Sequence, residues 1–199
     1  DVKASDLLQS NGIIWVEGPS DRVYIKRWLD LYFPDRFVEG VHYQFLYYGG
    51  RLLSQYSAEE VTELISVIKT NRNAVIVMDS DKRGRNARLN DTKRRIIQEF
   101  DDLGMMTWVT KGKEIENYIP KEVIEKALGI SLKKQCEQYE LFPGYIEPYY
   151  RGFVGQKVKF ARSVVGHMTL ENMAGMLDVK NQVTELGKRI SDWNGGPSH

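Results

Sequence analysis

Residues 13–21, IIWVEGPSD, predict a buried strand that runs directly into a helix. Four apolar residues form the strand, and Glu17 stands at its end. Pro19 and Ser20 then begin a helix, with Ser20 as its predicted N-cap. A strand, an acidic residue and a tight turn into a helix are typical of an α/β protein with a site at the end of a strand.

The same pattern recurs along the first 110 residues. The predicted strands are residues 13–16, 43–48, 74–78 and 106–110. The predicted helices begin at Pro19-Ser20, at a capping box in residues 57–60 that leads a helix to residue 68, and at Asn90-Asp91. Because the run at 74–78 is apolar throughout, it suits a parallel strand covered on both faces. Alternating strands and helices predict a parallel α/β sheet flanked by helices.

Past Pro120 the alternation stops and helical patterns follow one another. We predict helices at residues 120–128 with Gly129 as C-cap, around 132–139, around 158–165 and at 179–190, with a loop at 139–153. The aromatic residues between Tyr145 and Phe153 are expected to pack onto the rest of the chain. We therefore predict an α/β core at residues 1–119 and a helical C-terminal extension at residues 120–199.

Composition excludes several classes of protein. Of 199 residues, 42% are hydrophobic and 28% charged, which is ordinary for a globular chain. No apolar run approaches the ~20 residues of a membrane span, no secretory leader is seen, and Cys136 is the single cysteine. We expect a cytoplasmic protein without disulfides or a cysteine-type zinc site. Since the chain begins at Asp1, we expect it to be part of a larger protein.

Charge is unevenly distributed, although the net charge is only +1. Residues 82–95 hold seven Lys or Arg and one acid, Asp91. A local basic field of this kind can hold phosphate groups even when the whole chain is nearly neutral. The alternative is a solvated loop and helix face.

Three pairs of acidic residues follow three of the predicted strands. They are Glu17 and Asp21, Asp79 and Asp81, and Glu114 and Glu116. Since the carboxyl ends of parallel strands meet at one edge of a sheet, we expect these side chains to lie together. Gathered carboxylates repel one another, and oxygen ligands favour Mg²⁺, Mn²⁺ or Ca²⁺ over zinc. The pattern predicts a divalent-metal site, and two such ions ~4 Å apart suit phosphoryl chemistry.

Three motifs in this order carry a family resemblance. WVEGPSD at residues 15–21 and VMDSD at 77–81 look like the two motifs of the Toprim fold, which topoisomerases, bacterial primases and several nucleases share. KEIENY at 113–118 resembles the third motif of the OLD (overcoming lysogenisation defect) nucleases. In that family a Toprim nuclease domain follows an ABC-type ATPase domain. The resemblance covers residues 12–120 and extends less closely into residues 155–161.

The resemblance implies the site residues and cofactors. Metal ligation would fall to Glu17, Asp21, Asp79, Asp81, Glu114 and Glu116, with Glu17 and Asp79 central to catalysis. The ions would be Mg²⁺ or Mn²⁺, two in number, and Ca²⁺ could also bind. Lys157 or Lys159 would stabilise negative charge on the phosphate, and Lys157 is favoured because it precedes the Val-x-Phe-Ala run. The chain has no Walker A sequence, so the ATPase domain would lie outside it.

We therefore expect a metal-dependent DNA endonuclease from the C-terminal part of an OLD-like protein, a family associated with phage defence. Its DNA contacts would be Lys82, Arg83, Arg85 and Arg88, which would hold the backbone without reading its sequence. His42 and His167 lie outside the acidic motifs and are not expected to act as bases. The oligomeric state is left open.

Three alternatives remain at this point. A topoisomerase would need a nucleophilic tyrosine on another domain, and a primase would usually bring a zinc module. A phospho-acceptor signalling domain also uses acids around Mg²⁺, but the EIENY motif has no place in it. A non-catalytic module that binds metal or nucleic acid is the third.

Overall fold

A parallel four-stranded sheet forms the centre of the molecule, seen in a computed structural model that describes residues 11–49, 62, 65, 66 and 71–196. The strands are β1 (Ile13–Val16), β2 (Gln44–Tyr47), β3 (Ala74–Met78) and β4 (Met106–Val109). Their order across the sheet is β2-β1-β3-β4, and all neighbours are parallel. The predicted α/β class with a Toprim-type sheet is confirmed, and the carboxyl ends of all four strands lie at one edge.

Seven helices accompany the sheet in the described part of the chain. They are α1 (Pro19–Tyr32), α2 (Asp91–Asp102), α3 (Lys121–Leu128), α4 (Phe142–Ile146), α5 (Lys157–Val165), α6 (Leu170–Met173) and α7 (Val179–Trp193), with 3-10 turns at Ile115–Tyr118 and Phe153–Gln156. Helix α1 packs against α5 and α7, and α2 packs against β4. None of the helices in these ranges is long and apolar enough to cross a membrane.

The two faces of the sheet carry two hydrophobic clusters, because successive strand residues point to opposite sides. On one face, Ile14 and Val75 pack with α1 and with the C-terminal helices. On the other, Ile13 and Ile76 pack with Ile96 and its neighbours on α2. The division at residues 119 and 120 stays a prediction, and the residues on either side of it share the first cluster.

The aromatic residues of the C-terminal part join that first cluster, as expected. The ring centroids of Phe142 and Phe153 are 5.3 Å apart, and those of Phe153 and Phe160 are 5.1 Å apart. Phe142 and Phe153 are fully buried. This packing fixes the start of α5, which carries Lys157.

Three local predictions were wrong. The N-cap of α1 is Gly18, with Pro19 in the first turn, so Ser20 lies inside the helix. The segment predicted as a loop at 139–153 contains the short helix α4. Residues 132–139 form no helix, because side chains from elsewhere take their carbonyls: Tyr145 Oη donates to Lys134 O at 2.7 Å, and Asn117 Nδ2 donates to Glu137 O at 2.9 Å.

Other boundaries agree with the sequence. Asn90 caps α2 by accepting a hydrogen bond from Lys93 N, and Gly129 ends α3 in the left-handed conformation that favours glycine. The helix predicted over residues 57–68 lies almost wholly outside the described residues. Helix α6 was not predicted from the sequence.

Candidate metal centre

The first acidic pair lies where β1 turns into α1. Glu17 follows the last residue of β1, and Asp21 lies in the first turn of α1. The Asp21 carboxylate accepts a hydrogen bond from Gly18 N, with Oδ2 at 2.7 Å from that nitrogen. This bond joins the two ends of the turn, so the turn holds both side chains at the edge of the sheet.

The second pair is connected to the third by hydrogen bonds. Asp79 Oδ1 accepts from Ile115 N at 2.7 Å, and Asp81 N donates to Lys113 O at 2.9 Å. Ser80, between the two aspartates, donates from Oγ to Gly112 O at 2.6 Å. The segment after β3 therefore fixes where the segment after β4 runs.

The third pair belongs to the 3-10 turn Ile115–Tyr118. Glu114 caps this turn, and its Oε2 accepts from Phe142 N at 3.1 Å. Asn117 locks the turn by accepting from Glu114 N at 2.7 Å and donating into residues 137–140. The turn places Glu116 inside the protein, where the residue is only 1% exposed.

Glu116 is the electrostatic anomaly of the site. Both of its carboxylate oxygens are buried, and neither accepts a hydrogen bond from any residue in the described ranges. Lys157 Nζ lies 3.4 Å from Glu116 Oε1, which is an ion pair without a well-formed hydrogen bond. A buried carboxylate without hydrogen bonds is costly, so this group needs a cation.

The other carboxylates raise one another's pKa. Burial, and then the charge of Glu116, raises the pKa of Asp21 to about 7. Burial and the charges of Asp21, Glu116 and Glu17 raise the pKa of Asp79 well above its ordinary value. Burial and Glu116 raise the pKa of Glu114 to about 7, and burial raises that of Glu17. The acidic residues therefore lie within electrostatic reach of one another, as the strand topology predicts.

Lys157 is the counter-charge of this cluster. Burial lowers its pKa, but Glu116, Asp79, Glu114 and Asp21 outweigh that effect and raise the pKa above its ordinary value. About a third of the side chain remains exposed, at 34%. Lys159, the other predicted lysine, is an exposed residue of the same helix.

The donor set fits a divalent cation in charge and in chemistry. It consists of carboxylate oxygens, which Mg²⁺ and Mn²⁺ prefer, and the two oxygens of Glu116 have no hydrogen-bond donor among the described residues. As the side chains stand, no group of three or more acidic, His or Cys residues in that part of the chain is arranged to enclose an ion. Binding would therefore require the carboxylates to turn toward one another.

The predicted DNA contacts lie on the loop between β3 and α2, directly after Asp81. Arg83, Arg85 and Arg88 are exposed, and Lys82 is half-buried. The basic run does not form one solvated surface, however. Lys93 is only 3% exposed and turns inward to Asp81.

Sequence reasoning missed this role of Lys93 because it counted the residue with the surface charges. A signal was present: Lys93 is spaced three residues before Ile96 and seven before Phe100, both of which are buried. When a lysine lies on the apolar face of a helix, its side chain is buried together with that face unless the ammonium group reaches solvent. A buried ammonium group requires a partner that accepts its hydrogen bonds or balances its charge.

We expect the metal-free chain to lose stability as pH rises. A carboxyl whose pKa is raised on folding binds its proton more tightly in the folded state, so ionisation destabilises the fold as pH rises from the ordinary values of 3.8–4.5 through about 7. Thermal unfolding in EDTA should give a lower Tm at pH ~8 than at pH ~5.5.

In the Asp21→Asn variant the Tm should change less between pH ~5.5 and ~8, because the variant removes one of these carboxyls and keeps an oxygen that can accept from Gly18 N. Asp30→Asn, an exposed change on the same helix, is the control and should leave the profile as it is. A wild-type Tm that rises from pH ~5.5 to ~8 would contradict the electrostatic account.

Two solved structures of known proteins are similar in fold to this chain. No family model matches the chain, and a search of curated proteins gives no match. The C-terminal region of the Burkholderia pseudomallei OLD protein is similar in structure over 90% of this chain and 98% of its own length, with a TM-score of 0.54 and 15% identity. The corresponding region of the Xanthomonas campestris pv. campestris OLD protein covers 96% and 98%, with a TM-score of 0.56 and 15% identity. This chain therefore has the fold of the C-terminal region of OLD proteins.

Proposed function

We propose that this chain is a divalent-metal-dependent DNA endonuclease that hydrolyses backbone phosphodiesters, as the Toprim part of an OLD-like protein. The main support for the proposal is the Glu116 carboxylate, which is 1% exposed, has both oxygens without a hydrogen bond from the described residues, and acts electrostatically on Asp21, Asp79 and Glu114. A carboxylate in such a place is costly to keep charged unless a cation lies beside it.

The residues that would hold the cations are those predicted from the motifs. They are Glu17, Asp21, Asp79, Asp81, Glu114 and Glu116, and the ions would be Mg²⁺ or Mn²⁺, two in number, with Ca²⁺ also able to bind. When bound, such ions polarise a phosphoryl oxygen and supply a nucleophile at neutral pH. Backbone hydrogen bonds anchor one oxygen each of Asp21, Asp79 and Glu114 at this edge of the sheet, and ion binding would still require these carboxylates to turn toward one another.

Lys157 would act on the phosphate. It lies in the first turn of α5, and its side chain is partly exposed. Burial lowers its pKa, but Glu116 and the other carboxylates raise the pKa by more, so that it lies above the ordinary value. A lysine that stays protonated and is already positioned can stabilise the negative charge that builds up in the transition state. Lys159 is exposed and suits contact with DNA rather than with the reacting phosphate.

Exposed basic residues on two segments that adjoin the carboxylates favour DNA as the substrate. The first is the loop with Arg83, Arg85 and Arg88, which follows Asp81. The second is a cleft of about 500 Å³ at the start of α5, whose charged lining residues are all cations, Lys157, Lys159 and Arg162. A strand that passes from one segment to the other would bring a phosphate to the site. These contacts give affinity without sequence readout.

The partner in the longer protein would be an N-terminal ABC-type ATPase domain. This part of the proposal rests on the family resemblance of the three motifs and on the fold shared with C-terminal regions of OLD proteins.

We expect Glu17→Gln and Asp79→Asn each to abolish cleavage of supercoiled plasmid in Mg²⁺ or Mn²⁺, because each removes a negative charge while it keeps the shape of the side chain. Asp79→Asn also keeps an oxygen that can accept from Ile115 N. Glu171→Gln, an exposed change on α6, is the control and should cut like the wild type.

Gel electrophoresis of the plasmid separates the outcomes. Nicked and linear products from the wild type support the nuclease. Relaxed closed circles would indicate a topoisomerase, and an unchanged plasmid would contradict the proposal. Wild-type cutting by both variants would remove the carboxylates from the mechanism.

We expect Lys157→Ala to lower the single-turnover cleavage rate by ~10²–10³-fold, since the loss of one preorganised donor has effects of this size. DNA affinity should change much less than the rate, because the charge acts mainly in the transition state. Lys157→Arg should recover part of the rate, as the guanidinium is planar where the ammonium is compact.

Lys159→Ala is the matched control, two residues away on the same helix. It should weaken DNA binding slightly and leave the rate on bound DNA close to that of the wild type. A dead Lys159→Ala with an active Lys157→Ala would reverse the assignment, and full rates from both would exclude α5 from the chemistry.

We expect the triple variant Arg83→Gln, Arg85→Gln and Arg88→Gln to bind DNA more weakly and with less dependence on salt. Each lost phosphate contact lowers the slope of log K against log salt by about 0.9, so the slope should fall by about 2–3. Fluorescence anisotropy with DNA of two unrelated sequences measures this. The control removes three exposed lysines elsewhere, Lys126, Lys180 and Lys188, and should keep the slope. Equal slopes in both triple variants would contradict a role for the loop.

A further inference from the structure

Lys93 is a buried cation next to the carboxylates that the motifs do not account for. It lies in the first turn of α2, after the N-cap Asn90, and its side chain is 3% exposed. Its Nζ donates to the Asp79 carbonyl oxygen at 2.5 Å and forms a close ion pair with the Asp81 carboxylate. Both acceptors belong to the Asp-Ser-Asp segment that follows β3.

Burial of the Lys93 ammonium group destabilises the fold unless its contacts with that segment compensate for the lost hydration. An ammonium group taken out of water loses its hydration, and only paired, hydrogen-bonded lysines are found buried. Lys93 replaces its hydration with one carboxylate and one carbonyl. Neighbouring cations of α2 behave differently: Arg94 is 60% exposed and pairs with Asp91 at the surface. The burial of Lys93 is therefore specific to its position.

Asp81 has an unusual backbone that this contact helps to hold. Its φ is +54°, a left-handed conformation that residues other than glycine rarely adopt. Asp81 N donates to Lys113 O at 2.9 Å, and its side chain faces Lys93. The residue is thus fixed from both sides, by a backbone bond and by an ion pair.

Lys93 also faces the rest of the cluster. Burial is the main cause of the raised pKa of Glu17, and after it Lys157 lowers that pKa, Asp81 raises it and Lys93 lowers it. The cluster therefore contains two lysines, from α5 and from α2. Lys157 pairs with Glu116, which has no hydrogen bond from the described residues, whereas Lys93 pairs with Asp81.

We propose that the Lys93 ammonium group belongs to the carboxylate site, where it positions Asp81 and keeps divalent ions out of the space between the Asp81 carboxylate and the Asp79 carbonyl. The divalent ions would then bind through Glu17, Asp21, the Asp79 side chain, Glu114 and Glu116. The inference rests on the proposed function, since it assumes that the remaining carboxylates take up ions. It narrows the ligand set of the proposed function: Asp81, counted there among the six ligands, would be held by Lys93 and would not bind an ion.

Removal of the Lys93 charge should make metal binding tighter while it weakens the metal-free fold. In Lys93→Met the side chain keeps its approximate volume, Asp81 loses its partner, and a divalent ion no longer meets a neighbouring positive charge. We expect Mn²⁺ affinity, measured by calorimetry without DNA, to rise by about tenfold or to gain one further ion per chain. The Tm in EDTA should fall, and added Mn²⁺ should raise it by more than in the wild type.

Lys93→Arg and Arg94→Met are the controls. Lys93→Arg keeps the charge and should return Mn²⁺ affinity toward that of the wild type. Arg94→Met removes a cation from the surface of the same helix and should leave Mn²⁺ affinity unchanged. If Lys93→Met does not fold, Lys93→Gln, which can still donate to Asp79 O, gives the same comparison.

The outcomes separate this inference from the proposed function. Wild-type chain that binds Mn²⁺, together with a Lys93→Met variant that binds it equally or more weakly, would overturn the role of Lys93 and leave the metal site standing. Wild-type chain that binds no Mn²⁺ at all would overturn both. A merely structural lysine would lower the Tm and the Mn²⁺ affinity together, so a rise in affinity is the diagnostic result.

Discussion

Acidic side chains that repel one another are held together at one edge of the sheet, and the turns and helices around them are arranged to keep them there. Six acidic side chains follow β1, β3 and β4, and the repulsion among them is strengthened wherever their side chains are withdrawn from water. Glu116 shows the effect most clearly, with a buried carboxylate that receives no hydrogen bond from the described residues. A chain gains nothing in stability from such a group, so its presence points to function.

The fold supplies the forces that hold this edge together. Both faces of a short parallel sheet are covered by hydrophobic clusters, which make the strand ends rigid. Backbone N–H groups then fix three of the carboxylates in direction, and Asn117 ties the 3-10 turn to the segment that follows it. The C-terminal helices contribute one lysine at the start of α5, anchored by the aromatic packing around Phe153 and Phe160. Sheet, turn and helix thus meet at one charged site.

Much of this arrangement could be predicted from the sequence, for physical reasons that differ between elements. Continuous apolar runs identify parallel strands because both faces are buried, and the capping residue Asn90 marks a helix start through its own hydrogen bond. The meeting of the acidic pairs follows from topology alone. Residues 132–139 could not be predicted, because their carbonyls are taken by Asn117 and Tyr145, which are distant in sequence.

The pairing of the charged residues could not be predicted from the sequence either. A run of basic residues does not reveal that Lys93 leaves the surface, since that depends on where Asp81 lies after folding. Likewise, spacing favours Lys157 over Lys159 only weakly, whereas the structure places Lys157 Nζ 3.4 Å from Glu116. Local patterns therefore predict elements and their ends, but the pairing of buried charges is a property of the tertiary fold.

Anomalous diffraction from a crystal of this chain soaked in Mn²⁺ would show whether the carboxylates bind metal. We expect manganese peaks among Asp79, Glu114 and Glu116, with at least one Glu116 oxygen as a ligand. Density that shows Glu116 paired only with Lys157, and no manganese at the carboxyl ends of β1 and β3, would contradict this expectation.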